Sequence, residues 1–259
     1  MRPTAEADAQ PYVRAAFSRR GPGRGVLAAL LLAALPAGPL SADGLTEISF
    51  EAVETDPHRA VTFEEMPGPA RADGQVEGDL RFDGVTIGKR LAGQDLAERV
   101  TPEGRFDVLN GAPEMPLAVR PGPSGANLAL TWHTGFGSNA LVPIGPLGGE
   151  DGGARAVGGL PEGMGDGAVV LLFDSGQWRL ALRLYSDHVS PGRPRGGLHL
   201  CFWDGEGRMI ASEDRAAQTG TISLGWQSNV PIRAVTITTT DPGGIALDDI
   251  LHQTAPTTG

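Results

Sequence analysis

The sequence predicts an all-β chain folded as a two-sheet antiparallel sandwich, preceded by an N-terminal signal helix. Three observations predict it. Short alternating or apolar runs recur along the chain, separated by turn clusters in a composition that holds 38 Gly and 21 Pro. Long amphipathic helix patterns are scarce. The runs number about a dozen, which suits two stacked antiparallel sheets in one domain.

The clearest strand is Trp178–Tyr185, in which Leu180, Leu182 and Leu184 share one face while Arg179, Arg183 and Tyr185 share the other. The next, Gly197–Trp203, repeats the pattern with Leu198, Leu200 and Phe202 inside. Asp204-Gly205-Glu206-Gly207 then turns the chain into Arg208–Ala211, and Asp-Gly between strands is a strong hairpin signal. Later strands are expected over Thr221–Trp226, Ile232–Thr239 and Ile245–Leu251. Earlier ones are expected over Thr46–Ala52, Ala60–Glu64, Leu80–Ile87, Arg105–Leu109, Asn127–Trp132 and Ala168–Phe173. Gly93–Val100 is the best helical stretch, one or two turns at most. In residues 145–167 ten positions are Gly, which reads as a long mobile loop or insertion. Residues 253–259 read as a disordered polar tail. The single sandwich domain is thus expected over 43–252.

Residues 1–42 read as an export signal. Arg14, Arg19, Arg20 and Arg24 form a basic flank, Val26–Leu35 an apolar run, and Pro36–Ala42 a small-residue cleavage region ending at Ala42. The run is shorter than the about 20 residues a membrane-spanning helix needs, so the membrane is a partner only during export. The expected location is secreted or periplasmic. The whole chain has a formal charge of −10, and the basic leader makes the exported part more acidic still. Such a surface repels phosphate backbones and excludes nucleic acid as a natural partner.

Cys201 is the one cysteine, so no intrachain disulfide forms and no cysteine-based zinc site is available. It reads as a small semi-buried residue.

Two short motifs flank the exported part. Ala60-Val61-Thr62-Phe63-Glu64-Glu65-Met66-Pro67-Gly68 stands near its start, and Asp241-Pro242-Gly243-Gly244-Ile245-Ala246-Leu247-Asp248-Asp249-Ile250 near its end. Chain ends of a domain tend to lie close together. Convergence of these strands would bring Glu64 and Asp248 together, with Asp241 or Asp249 nearby. Such carboxylates supply oxygens to a cation such as calcium, which takes six to eight at about 2.3–2.6 Å, or they are solvated strand-end residues, or they hydrogen-bond the Gly-rich turns.

The pair "TFEEMPG" and "GIALDDI", with "GMGDGAVVLLF", "LHLCFWDGEGRMI" and "ISLGWQSNVPIRAVTITTTDPGGIALDDI" between and around them, resembles secreted bacterial jelly-roll domains related in shape to carbohydrate-binding modules. The resemblance spans residues 60–252. It implies a jelly-roll sandwich and a structural calcium joining the first and last strands, with Glu64 and Asp248 as the matching positions.

Sugar rings stack their apolar faces on exposed aromatics. By strand parity Arg183, Tyr185, His199 and Trp203 lie opposite the leucine faces and so point outward. If the two strands pair, they form one aromatic and basic patch. Trp132, Trp178 and Trp226 stand at strand ends as alternatives. Catalytic signatures are missing: no Gly-x-Ser-x-Gly, no His-Glu-x-x-His, and no spacing that marks a carboxylate pair. The expected role is a non-catalytic binding protein for a glycan or another cell-surface component. A structural or adhesive protein is the alternative, and a hydrolase with an unrecognised site the third.

Overall fold

A computed structural model describes residues 44–64, 74–122, 127–147, 160, 163–186 and 196–254. The expected signal segment, most of the 145–167 loop and the end of the tail lie outside the described residues.

The chain opens with β1 (Leu45–Ile48), α1 (Phe50–Glu54) and β2 (Arg59–Val61). Short strands β3 (Gln75–Val76), β4 (Leu80–Phe82), β5 (Val85–Gly88) and β6 (Arg90–Leu91) follow. β7 (Asp95–Thr101) and β8 (Gly104–Asn110) form a hairpin, and β9 (Val119–Arg120) returns to pair with β6. A second hairpin joins β10 (Leu128–His133) to β11 (Ser138–Pro143). The remaining strands are β12 (Val169–Ser186), β13 (Gly197–Trp203), β14 (Met209–Ala216), β15 (Gly220–Thr239) and β16 (Ile245–Gln253).

These make two antiparallel layers, as the sequence predicts. One runs β4-β5-β12-β15-β13-β14, using the first part of β12 and the last part of β15. The other runs β1-β15-β12-β16-β11-β10-β3, using the opposite parts of the same two strands. β2 pairs with the far half of β16 at Ile250–His252. β13 and β14 form a hairpin within one layer, β15 crosses from the other layer into it, and β16 returns to the other.

The shared strands are the main departure from the expected element list. Ala168–Phe173 and Trp178–Tyr185 are one 18-residue strand, and Thr221–Trp226 and Ile232–Thr239 belong to one 20-residue strand. Each turns the corner through an irregularity, near Asp174–Gln177 in β12 and Ser228–Pro231 in β15. There the Ser228 hydroxyl bonds the Gly44 and Val230 carbonyls, and a Cβ on Gly176 would meet Pro231 Cβ at 2.4 Å. Residues that read locally as a turn instead carry the chain from one sheet to the other.

Two local expectations fail for identifiable reasons. Gly93–Val100 is not helical, because Asp95–Thr101 pairs with Gly104–Asn110 around Pro102-Glu103. Proline there favours a tight turn, and cross-strand pairs such as Glu98–Arg105 add to the pairing. Conversely, Thr46–Ala52 ends as a strand at Ile48. Ser49 caps α1 by accepting from the Ala52 N–H at 3.2 Å, and Phe50 and Val53, one turn apart, bury against Ala181 and Leu251.

Between the layers lies a core that includes Phe63, Leu171, Phe173, Leu180, Leu182, Leu184, Leu200, Phe202, Trp226 and Leu247. Each fully buried side chain of this size contributes about 1.5–3 kcal/mol. Gln253, expected in the tail, ends β16 and donates to the Pro57 carbonyl at 2.9 Å.

His252 is a buried titratable group in this frame. It packs on Phe173 with ring centroids 5.1 Å apart and bonds Gln177 Oε1 through Nδ1 at 3.1 Å. Burial pushes its imidazole down to about 4. It is neutral in the fold but binds a proton in the unfolded chain below about 6.5. Stability is therefore lost as pH falls from about 6.5 toward 4, on the order of 2–3 kcal/mol by pH 4.5. His252→Gln should shrink the difference in urea-denaturation free energy between pH 7 and pH 4.5 by about that amount.

Candidate functional site: a roofed groove on the outer sheet face

The outward face of β13, β14 and β15 carries His199, Cys201 and Trp203, with Asp214 opposite His199 on β14 and Thr238 opposite it on β15. Thr236 stands opposite Cys201. Over this face lies the β7–β8 hairpin. Two adjoining cavities separate roof and floor, of about 730 Å³ and about 580 Å³. Leu109, Asn110, His199 and Thr238 line both. Arg99, Asp214, Arg215 and Thr240 edge the first; Gln94, Cys201, Trp203, Arg208 and Met209 edge the second.

A buried ion pair holds the hairpin in place. The Lys89 amine, after β5, pairs with the Asp107 carboxylate of β8 and donates to the Ile144 carbonyl. Both side chains are 5% exposed. Asp107 also accepts from the Ala168 N–H at 3.2 Å, and its own N–H donates to the Asp166 carbonyl at 3.0 Å. Burial pushes the Lys89 amine down and the Asp107 carboxyl up from their ordinary values, while each partner's charge opposes the shift. The described ends of the 145–167 segment meet at this point, where Ile144 bridges to Met164.

Within the groove His199 is half-exposed. Its Nδ1 lies 2.8 Å from Asp214 Oδ1 and its Nε2 3.1 Å from Cys201 Sγ. The sulfur contact, followed by Asp214, raises the imidazole to about 9 against the opposing effect of burial. At neutral pH the ring is a cation donating from both nitrogens. Arg208 is held by Asp204 and Glu206, and Arg215 by Glu47 and Glu213. Arg99 is exposed and has no ion-pair partner among the described residues.

The expected four-residue patch does not exist as one surface. β15 lies between β12 and β13, and Arg183 and Tyr185 belong to the other layer from His199 and Trp203. Arg183 sits over the Phe50 ring, 4.5 Å from its centroid, and bonds Asp249 Oδ2 at 2.5 Å. Tyr185 packs on His133 and Phe136 at 4.6 Å and 5.9 Å. Trp203 does lie opposite the leucine face, as parity requires, yet it is 3% exposed. Leu91, Leu117 and Val119 cover it from outside the sheet, and its indole donates to Thr236 Oγ1 at 3.2 Å. Parity reports the face of a strand and not what a later segment lays over it. Trp226 is buried in the core, whereas Trp132 is 62% exposed.

Glu64 and Asp248 are drawn to consecutive residues of β11. Glu64 Oε1 accepts from the Asn139 N–H at 3.3 Å, and Asp248 Oδ2 from the Ser138 hydroxyl at 2.6 Å. Asp248 Oδ1 accepts from the Asp249 N–H at 2.8 Å. Asp241 accepts from Ser186 and from Gly243 N–H in its own turn, both at 2.7 Å. Burial raises the Asp248 carboxyl from its ordinary value, against the lowering effect of the Ser138 and Asp249 donors. Among the described residues no group of three or more His, Cys, Asp or Glu is placed to hold a metal ion. The hydrogen bonds these carboxylates make are to protein donors.

Sequence reading missed Arg99, Asn110, Asp214 and Thr238. The Thr-Pro-Glu-Gly turn signals the hairpin that carries the first two, and alternation along β14 and β15 puts the others on the outer face; only the roof's position was illegible.

The sequence matches no protein-family model and no curated protein. Similar solved structures include a variant of a family 29 carbohydrate-binding module complexed with mannohexaose, 12% identical, with a TM-score of 0.31 over 66% of this chain and 93% of that one. Another holds carbohydrate-binding and xylanase modules of Clostridium thermocellum endo-1,4-beta-D-xylanase 10B with xylohexaose: 14% identity, TM-score 0.30, 51% of this chain and 25% of that one. A third is the enzymatically active domain of bacteriophage CBA120 tailspike protein 4: 11% identity, TM-score 0.27, 73% of this chain and 22% of that one. At such values the ligand of none of these proteins transfers to this chain.

Asp107→Ala should lower the unfolding free energy by about 3–5 kcal/mol in urea denaturation, because it strands a buried ammonium. Lys89→Met combined with Asp107→Leu should recover part of that loss.

Proposed function

We propose that this chain is an exported binding protein whose outer groove holds a segment of an oligosaccharide, one that carries carboxylates. The observation that supports this reading is the groove's lining. Asn110, Thr238, Thr240 and His199 offer the mixed donors and acceptors that sugar hydroxyls require. Leu109, Met209 and the edge of Trp203 supply apolar wall against the C–H faces of a ring. The two cavities share Leu109, Asn110, His199 and Thr238, so together they suit an extended ligand better than a compact one.

Charge selects the class of sugar. Of the basic groups in the groove, His199, Arg208 and Arg215 are already paired with carboxylates, whereas Arg99 is exposed with no ion-pair partner among the described residues. A carboxylate on the ligand would find its cation at Arg99, against a chain whose net charge of −10 repels anions elsewhere. The acids among the described lining residues support binding over hydrolysis. The lining holds one carboxylate, Asp214, already bonded to His199. Glycoside hydrolysis commonly needs two, facing each other about 5–9.5 Å apart. Export enters the reading from the Arg-flanked apolar run at residues 1–42.

Calorimetric titration with oligogalacturonate and with a neutral cello-oligosaccharide tests the proposal. The uronate should bind, more weakly as salt rises, and Arg99→Ala should cost about ten-fold in affinity, as expected for a hydrogen bond to a charged group. Preference for the neutral sugar would overturn the charge argument, and binding of neither would overturn the glycan reading.

A further inference from the structure

Cys201 has a use that neither the fold nor oligosaccharide binding requires. It stands in mid-strand on the outward face and lines the second cavity. At 7% exposure, a narrow part of it reaches the groove. Its sulfur is 3.1 Å from His199 Nε2, and the opposite ring nitrogen is 2.8 Å from Asp214 Oδ1. Three residues on two adjacent strands thus set a thiol, an imidazole and an orienting carboxylate in line. The alignment follows from register: His199 and Cys201 are two apart on β13, and Asp214 is the direct partner of His199 on β14. The ring nitrogen lies within hydrogen-bond reach of the sulfur, the nucleophile–base contact that thiol chemistry uses. Arg208 lines the same cavity, and Asp214 faces the imidazole from the far side.

We infer that Cys201 is a nucleophilic thiol, oriented by His199 and Asp214, that exchanges with small disulfides entering the groove. The Sγ atom attacks one sulfur of the disulfide. A new S–S bond forms to Cys201 as the old one breaks, and the departing thiolate takes the proton held on His199 Nε2. One thiol and one disulfide become one mixed disulfide and one free thiol, with no external oxidant or reductant. Leu109 and Met209 line the same cavity, whose volume of about 580 Å³ suits small disulfides. The product carries its new group on the groove floor, beside His199, which lines both cavities.

The inference stands apart from the oligosaccharide reading, because uronate binding and thiol exchange are measured separately. Since the chain has one cysteine, every adduct reports on Cys201. The test is the rate of adduct formation with 2-hydroxyethyl disulfide at pH 6.5, followed by intact-protein mass spectrometry. The folded protein should react at least about ten-fold faster than the same chain unfolded in urea, where the thiol has ordinary reactivity. His199→Gln, checked for folding by circular dichroism, should react no faster than the unfolded chain. A folded rate equal to or below the unfolded one would mark Cys201 as an inert packed thiol and overturn the inference.

Discussion

The groove exists because a lysine and an aspartate are buried together. Lys89 and Asp107 join the segment after β5 to the hairpin, and the same two side chains reach the end of β11 through Ile144 and the approach to β12 through Ala168. Four segments distant in sequence converge on one charge pair. An apolar contact would fill the space, but it would not fix which part of β8 faces the sheet. The roof's height over His199, and hence the room for a ligand, follows from that one contact. Its stability is conditional, since two desolvated charges are tolerable only while each has the other.

The fold was largely readable because its signals are local. Alternation along Leu180–Leu184 and Leu198–Phe202, with the Asp204–Gly207 turn, gave strand type, face and a hairpin that the structure contains. The gap expected between Phe173 and Trp178 does fall at an irregularity, but a corner within a strand and a turn between strands share the same residues. What separates them is whether the continuation pairs with the same neighbour, and both halves of β12 pair with β15.

The site was less readable, for a physical reason. A binding surface depends on which elements lie over it, and layering is set by contacts such as Lys89–Asp107 that no periodicity announces. Trp203 shows this most plainly: its face was legible and its exposure was not, because Leu91, Leu117 and Val119 come from segments with no sequence link to β13. The converging carboxylates show the complementary case. Glu64 and Asp248 do arrive at neighbouring residues, but the Asn139 amide and the Ser138 hydroxyl meet them there. Nearness of acids is a topological fact; what donates to them depends on a third strand, β11.

The two long strands shared by both layers have a further meaning for a chain without disulfides. In a sandwich of separate sheets, one layer can loosen while the other stays formed. Here β12 and β15 pair with each other in both layers, from Val169–Ile237 to Leu172–Ala234 and from Arg179–Gln227 to Ser186–Gly220, with an irregular corner between. Loosening one layer disturbs the same two strands that build the other. The layers are thereby tied through shared strands, and slow amide exchange should run along both ladders and relax at the corner, where the register shifts. Continuity of the backbone does for this chain what a cross-link does for many exported domains: it denies the layers separate lives.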